Sequence, residues 1–519
     1  MSGNARGGPY STLAPTTPVI VGVGQWTRRP EGTSPAPEPA AMMAESLRRA
    51  ADDTGGDQTR VIREATGLWT VETASWHYRN APMTVAEFLR IAPPRHLVTS
   101  STGGEQPQAL VSRAARAIAA GDHDIVLITG GETFRSMRSA GSTGVGLPWT
   151  EQSDSVPAAE TEPDPHADAS HACELAVGAV LPTDYYPLFE NALRGASGRT
   201  IAEHQSVLGT LWHNFSSVAQ SNPHAWNPID ASAHQIATVG VDNRMISFPY
   251  TKLLNSNIWV DMAAAVILCS VEKARSLGIP ADRWVFPIAS AQSHDHWFVT
   301  ERDELHRSDA IELNGRSVLE TAAIDIDDVD HIDLYSCFPS AVQVAANALG
   351  LPLLDPDRPL TVTGGLTFGG GPGNNYGTHA LAAMTQTLRK EPGSVGLVTS
   401  NGMFLTKHAV ALYSTTPPRT EFRVTSPQPG IDAGPRRVPA EYYSGTAQLE
   451  TFTVRHDKRG AAERAIIVGR TADGARTWSR STDQDLMAAL ETEDLLGHSM
   501  RVADGHVEEI SAVSREGLF

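Results

Sequence analysis

"PQALVSRAARAIAAGDHDIVLITGGE", residues 107–132, and "NYGTHALAAMTQTLRKEPGSVGLVTSNG", residues 375–402, follow one plan. Each opens at a glycine-rich lead-in and continues as an alanine-rich stretch with helical spacing. A glycine or Pro-Gly break follows, then an apolar run that ends in glycine. The break stops a helix, and the short apolar run after it reads as a strand buried on both faces. Two copies of one helix–strand unit point to a duplicated α/β architecture.

Outward from the first copy, "TPVIVGVGQ" (17–25) reads as a buried strand and "PAAMMAESLRRAADDTG" (39–55) as a helix with a glycine stop. "RHLVTSSTGGE" (95–105) adds a strand and a glycine turn. Such alternation predicts a parallel sheet with covering helices. Regular α/β character returns at "DMAAAVILCSVEKARSLGI" (261–279), so the two halves are expected over 17–132 and 261–417. Between them, 133–260 is expected to be a loop domain over the cleft. Its "DSVPAAETEPDPHADASHA" (154–172) is too acidic and proline-rich to build a core, and its 222–254 stretch mixes aromatics with prolines and asparagines. The polar residues 1–16 read as a flexible arm, and 418–442 as a proline-rich linker. Beyond it, 443–519 alternates apolar and polar residues, breaks at "DKRG" and "ADG", and holds one short helix, as in a small OB-like barrel.

The net charge of −18 argues against nucleic acid or an anionic membrane as partner, since both select basic surfaces. The three cysteines, Cys173, Cys269 and Cys337, show neither paired nor metal-ligand spacing, which fits a reducing cytoplasm; no metal-binding set appears. No run approaches the roughly 20 apolar residues of a membrane span. "GVGQW" (22–26) lacks the third glycine of a dinucleotide fingerprint.

The duplicated fold, the long intervening domain and the placing of the glycine loops resemble the thiolase superfamily over 17–417. "YSCFPSAVQ" (335–343), the "STTPP" exit (414–418) and the added C-terminal domain narrow the resemblance to the actinobacterial thiolase-like proteins of type 1. It implies a five-layer α-β-α-β-α fold that binds acyl-coenzyme A between the halves, as a homodimer through the N-terminal half or a monomer. Family enzymes use a nucleophilic cysteine, the histidine of a Gly-His-Pro loop and the cysteine of a Cys-x-Gly motif. Here these positions fall on Gly103, Gly371 beside Pro372, and Ser400 in "SNG" with Gly402 retained. The fourth family motif, His-Asp-Cys-Phe, becomes Tyr335, Ser336, Cys337 and Phe338.

Glycine supplies neither thiolate nor base, and a serine without a neighbouring base does not take a proton at useful rates. Claisen condensation and thiolysis are therefore not expected. The implied function is binding of an acyl-CoA or related thioester, with no covalently bound cofactor. The protein is an acyltransferase of lipid metabolism by resemblance. Retro-aldol cleavage of an acyl-CoA by tyrosines and non-catalytic acyl-CoA binding or scaffolding remain alternatives.

Tyr335, Cys337 and Tyr376 are the candidate catalytic groups; each also reads as a packed residue at a strand end or helix start. The "GGLTFGGGPGNNYG" loop (364–377) is costly to order, which predicts that an acyl thioester lies against its 369–373 backbone. Gly370, Gly371, Pro372, Gly103, Gly104, Ser336, Ser400 and Gly402 are accordingly the expected binding positions. Glu105, two residues from the lost nucleophile, reads either as a general base or as a helix cap. His296, counted with the binding residues, and His408 are the remaining bases near these loops.

Overall fold

The two copies fold alike. The computed structural model describes residues 10, 12–29, 37–144, 146–161, 164 and 168–511. Its first sheet runs Pro18–Thr27, Asp261–Ser270, Ile125–Thr133, Gly67–Thr70, His96–Thr99. The second runs Val424–Thr425, Phe286–His294, Lys407–Ser414, Val395–Gly402, His331–Asp333. Four consecutive strands correspond between the sheets, with two antiparallel pairings and then a parallel one in each. Both sheets are thus mixed rather than parallel. The strand Asp261–Ser270, expected to open the second half, closes the first sheet instead, as Lys407–Ser414 does in the second. An apolar run on its own does not say which sheet it joins, and 133–260 is inserted just before this last strand.

Layering follows from side-chain alternation. Trp69, Val126 and Ile128 point to one face of the first sheet and Leu68, Ile125 and Leu127 to the other, in two separate core clusters. Helices Gln106–Ala119 and Tyr376–Lys390 lie between the sheets, Pro39–Asp53 and Ala81–Leu89 cover the first, and Asp309–Ala322 covers the second. The result is the α-β-α-β-α thiolase fold.

The inserted region is more helical than its composition suggests. Pro182–Ser197 and Ile201–Ser221 are two long helices, the second started by a Thr200/Glu203 capping box. At the C-terminus, Gly445–His456, Ala462–Thr471, Arg476–Ser481, His506–Ser511 and Ser499–Ala503 close a five-strand barrel. The fully buried guanidinium of Arg476 joins barrel to body: it donates to Thr300 O at 3.1 Å and Asp303 O at 3.0 Å and pairs with Glu450 at 2.7 Å. The expected linker 418–442 is docked as well. Val424–Thr425 pairs with the edge of the second sheet, and Arg437 N–H donates to Glu301 O at 2.8 Å.

Most of the expected N-terminal arm lies outside the described residues. Tyr10, at its described end, packs against Trp284 with ring centroids 5.5 Å apart. Among the described residues no helix is long and apolar enough to cross a membrane.

Candidate functional site

Three segments meet where the halves face each other: the turn 100–105, the strand end 333–338 and the hairpin 400–407. The turn has no room for side chains at its centre. Gly103 has φ +150°, and a Cβ on it would lie 2.7 Å from the carboxyl carbon of Glu105. A Cβ on Gly104 would lie 2.5 Å from Asn401 O and 2.7 Å from Cζ of Tyr335. From the other side, a Cβ on Gly402 would come within 2.8 Å of the same Glu105 carboxyl carbon. The Glu105 carboxylate therefore fills the space that side chains at 103 and 402 would take.

Glu105 is 5% exposed and held from one side. Its Oε1 pairs with Lys407 Nζ at 2.9 Å and accepts from Gln106 Nε2 at 2.7 Å, while Oε2 has no hydrogen-bond partner. Burial pushes its pKa above the ordinary carboxylate range, and Lys407 opposes that shift. Lys407 also pairs with Asp164 at 2.9 Å and donates to Thr102 O.

The lysine is set by a strained hairpin. Met403 and Leu405 adopt φ +56° and +52°, left-handed values unusual outside glycine. Tyr186 clamps this turn: its hydroxyl donates to Met403 O at 3.0 Å and accepts from Leu405 N–H at 3.3 Å and Asn401 Nδ2 at 2.9 Å. Arg302 donates to Phe404 O and to Thr406 Oγ1, both at 2.8 Å.

Tyr335 stands edge-on to Tyr376, with centroids 5.3 Å apart, and no described group hydrogen-bonds its hydroxyl. Burial, with Cys337 and Glu105 nearby, holds that phenol well above its ordinary pKa, so it keeps its hydrogen at neutral pH and is poorly suited as a base. Cys337 is pushed up to about 12 by burial, which leaves no useful thiolate at neutral pH. Ser400 Oγ is buried without a partner, and Ser336 Oγ lies 2.7 Å from where a Cβ on Gly365 would be.

The bare glycine loop is covered by protein. Gly371 N–H donates to Asn257 O at 2.9 Å, Trp226 N–H to Gly369 O at 2.8 Å, and Asn257 N–H to Leu366 O at 3.0 Å. A Cβ on Gly364 would meet the Ala219 backbone, and one on Gly370 would lie 2.5 Å from Met262 Sδ. What lies against Gly370 and Gly371 is thus the inserted region and, at Gly370, Met262 of the strand Asp261–Ser270. Tyr376 is likewise committed: its hydroxyl donates to Asp333 Oδ1 at 3.0 Å and sits 2.6 Å from Thr363 Oγ1. Burial lifts Asp333 to about 6 despite these donors. His296 meets Pro435 O at 3.1 Å, and His408 pairs with Asp295 at 3.3 Å. Neither joins the cluster.

Sequence reading missed Lys407, Asp164, Tyr186 and Asn401. A lysine opening the apolar strand in "TKHAV" was the available signal for the first. Asp164 sits in an acidic run, where nothing distinguishes it.

The α-β-α-β-α fold, with three segments meeting where its duplicated halves face each other, defines a thiolase-type protein. The monomeric SCP2-thiolase-like protein type 1 of Mycobacterium smegmatis is 31% identical, matches 96% of this chain and 99% of its own, and superposes with a TM-score of 0.82. The chain belongs to that family, the thiolase-like proteins of type 1. The family's additional C-terminal domain matches residues 427–506. An acetyl-CoA acetyltransferase of Methanothermobacter thermautotrophicus is 26% identical over 291 residues, 53% of this chain and 67% of that relative. The Ltp2–ChsH2(DUF35) aldolase shares the fold at 19% identity and TM-score 0.59, over 78% of this chain and 99% of that one.

Proposed function

We infer that this protein binds an acyl thioester of coenzyme A in the cleft between its halves and does not carry out cysteine-based thiolysis. One observation carries this reading: the Glu105 carboxylate stands where a side chain on residue 103 would project, the position that the resemblance gives to the superfamily nucleophile. The unpartnered oxygens of Glu105 and Ser400 suit polar ligand groups, because buried polar atoms without partners are costly. Tyr335 favours a second reading, acid–base chemistry on an acyl-CoA such as carbon–carbon cleavage, since its phenol faces the same turn with its hydrogen free. The Gly370–Pro372 loop, tied to Asn257, supports the cleft wall rather than contacting the ligand. Calorimetric titration with acetyl-CoA and butyryl-CoA tests the binding, with saturable heats expected. Acetoacetyl-CoA thiolysis should stay at background; turnover lost in Cys337→Ala would overturn the reading.

A further inference from the structure

The charged cluster in the cleft is asymmetric. Lys407 and Gln106 hold Oε1 of Glu105 at 2.9 and 2.7 Å, while Oε2 is buried with no partner. A carboxylate serving only as a counter-ion or a helix cap would spend both oxygens on donors. Here one is fixed and the other is buried without a partner beside Gly103, where the carboxyl group occupies the space of a residue-103 side chain. Across the adjoining glycine, the hydroxyl end of Tyr335 packs on Gly104, and nothing described accepts its proton. An anchored nucleophile, an attacking atom with no competing hydrogen bond and a nearby donor are the parts that acyl transfer requires.

We propose that Glu105 is a covalent nucleophile toward acyl thioesters, which makes this cleft an acyl-CoA hydrolase site working through an acyl-glutamyl anhydride. The inference rests on the acyl-thioester reading of the cleft. An Oε2 lone pair adds to the thioester carbonyl carbon. The carbonyl electron pair moves to oxygen, where the Tyr335 hydroxyl donates to it. Collapse breaks the carbon–sulfur bond, expels coenzyme A as thiolate and leaves the acyl group on Oε2. Water then attacks the anhydride, releasing the carboxylic acid and restoring the carboxylate; the proton that water gives up neutralises the thiolate. Lys407 is a positioning residue: it keeps Oε1 anchored so that Oε2 faces the thioester.

The test uses the full chain with acetyl-CoA and butyryl-CoA in the presence of hydroxylamine. Coenzyme A release is followed by chromatography, and the peptide containing residue 105 is examined by mass spectrometry. The expected result is coenzyme A release together with a hydroxamate on Glu105. Glu105→Gln, nearly isosteric, loses the label and slows release by more than about 100-fold. Tyr335→Phe keeps the label but slows release by about 100-fold, as for loss of one oxyanion donor. Saturable binding with no label, and with release unchanged in Glu105→Gln, overturns the nucleophile and leaves the binding reading standing. Absence of binding in calorimetry sinks both.

Discussion

Two glycine loops look alike in sequence and differ in what fills them. In the turn 100–105, the space left by Gly103 is taken by a charged side chain, the Glu105 carboxylate. In the loop 364–377, the space is taken by neighbouring protein: Gly364 faces Ala219, and Gly371 is bonded to Asn257 O. The first filling leaves a buried oxygen without a partner; the second ties backbone groups of the loop to the rest of the chain. A missing side chain therefore marks close approach in both places, and only the nature of the approaching group separates chemistry from packing.

The largest expected effect removes the charge that balances the first loop. Lys407→Ala leaves Glu105 and Asp164 without their buried cation and should cost about 3–5 kcal/mol at neutral pH. Burial already places the folded pKa of Glu105 above its unfolded value, so ionising it in the fold costs stability as pH rises between the two. Loss of Lys407 raises the folded value further. The deficit of the variant should therefore be small in acid and grow toward pH 8, which urea unfolding at a series of pH values measures. A deficit independent of pH would show that the ion pair does not set the stability of this turn.

The second loop should respond sterically. Gly364→Ala combines φ +89° with a Cβ 2.6 Å from Ala219 Cα, and is expected to cost about 2–3 kcal/mol with unchanged acyl-CoA affinity among folded molecules. Tyr376→Phe takes one donor from buried Asp333 and should cost about 1–2 kcal/mol, read by thermal unfolding. Gly371→His is the mildest: its Cβ sits 3.3 Å from Asn257 O, so a loss of about 1 kcal/mol is expected, with acyl-CoA affinity unchanged. Weaker binding without a fall in melting temperature would instead return this loop to the ligand.

The duplication was legible because helix and strand periodicities repeat, glycine stops included, at 107–132 and 375–402. The barrel was legible from alternation and hairpin breaks. The membership of Asp261–Ser270 was not, since every side chain of that strand is buried and pattern alone cannot choose its sheet. At the site, the glycine and serine positions that the resemblance aligns with reactive groups could be read along the chain. Their replacement could not: Glu105 meets Lys407 from the far half and Asp164 from the insertion, contacts that only tertiary folding creates. The partner of Tyr376 was hidden for a related reason. A tyrosine at a helix start gives no sign that a buried aspartate 43 residues earlier accepts its proton.

The central claim is that the Glu105 carboxylate occupies the place of a residue-103 side chain, and a double-mutant cycle tests it most directly. Gly103→Ala, Glu105→Ala and the double variant are compared by urea unfolding at neutral pH. The new Cβ should collide with the carboxylate in the single variant and find space once the carboxylate is gone. A favourable coupling of about 1–3 kcal/mol in the double variant is the predicted result. Strict additivity would mean that the two groups do not share that space, and would contradict the account.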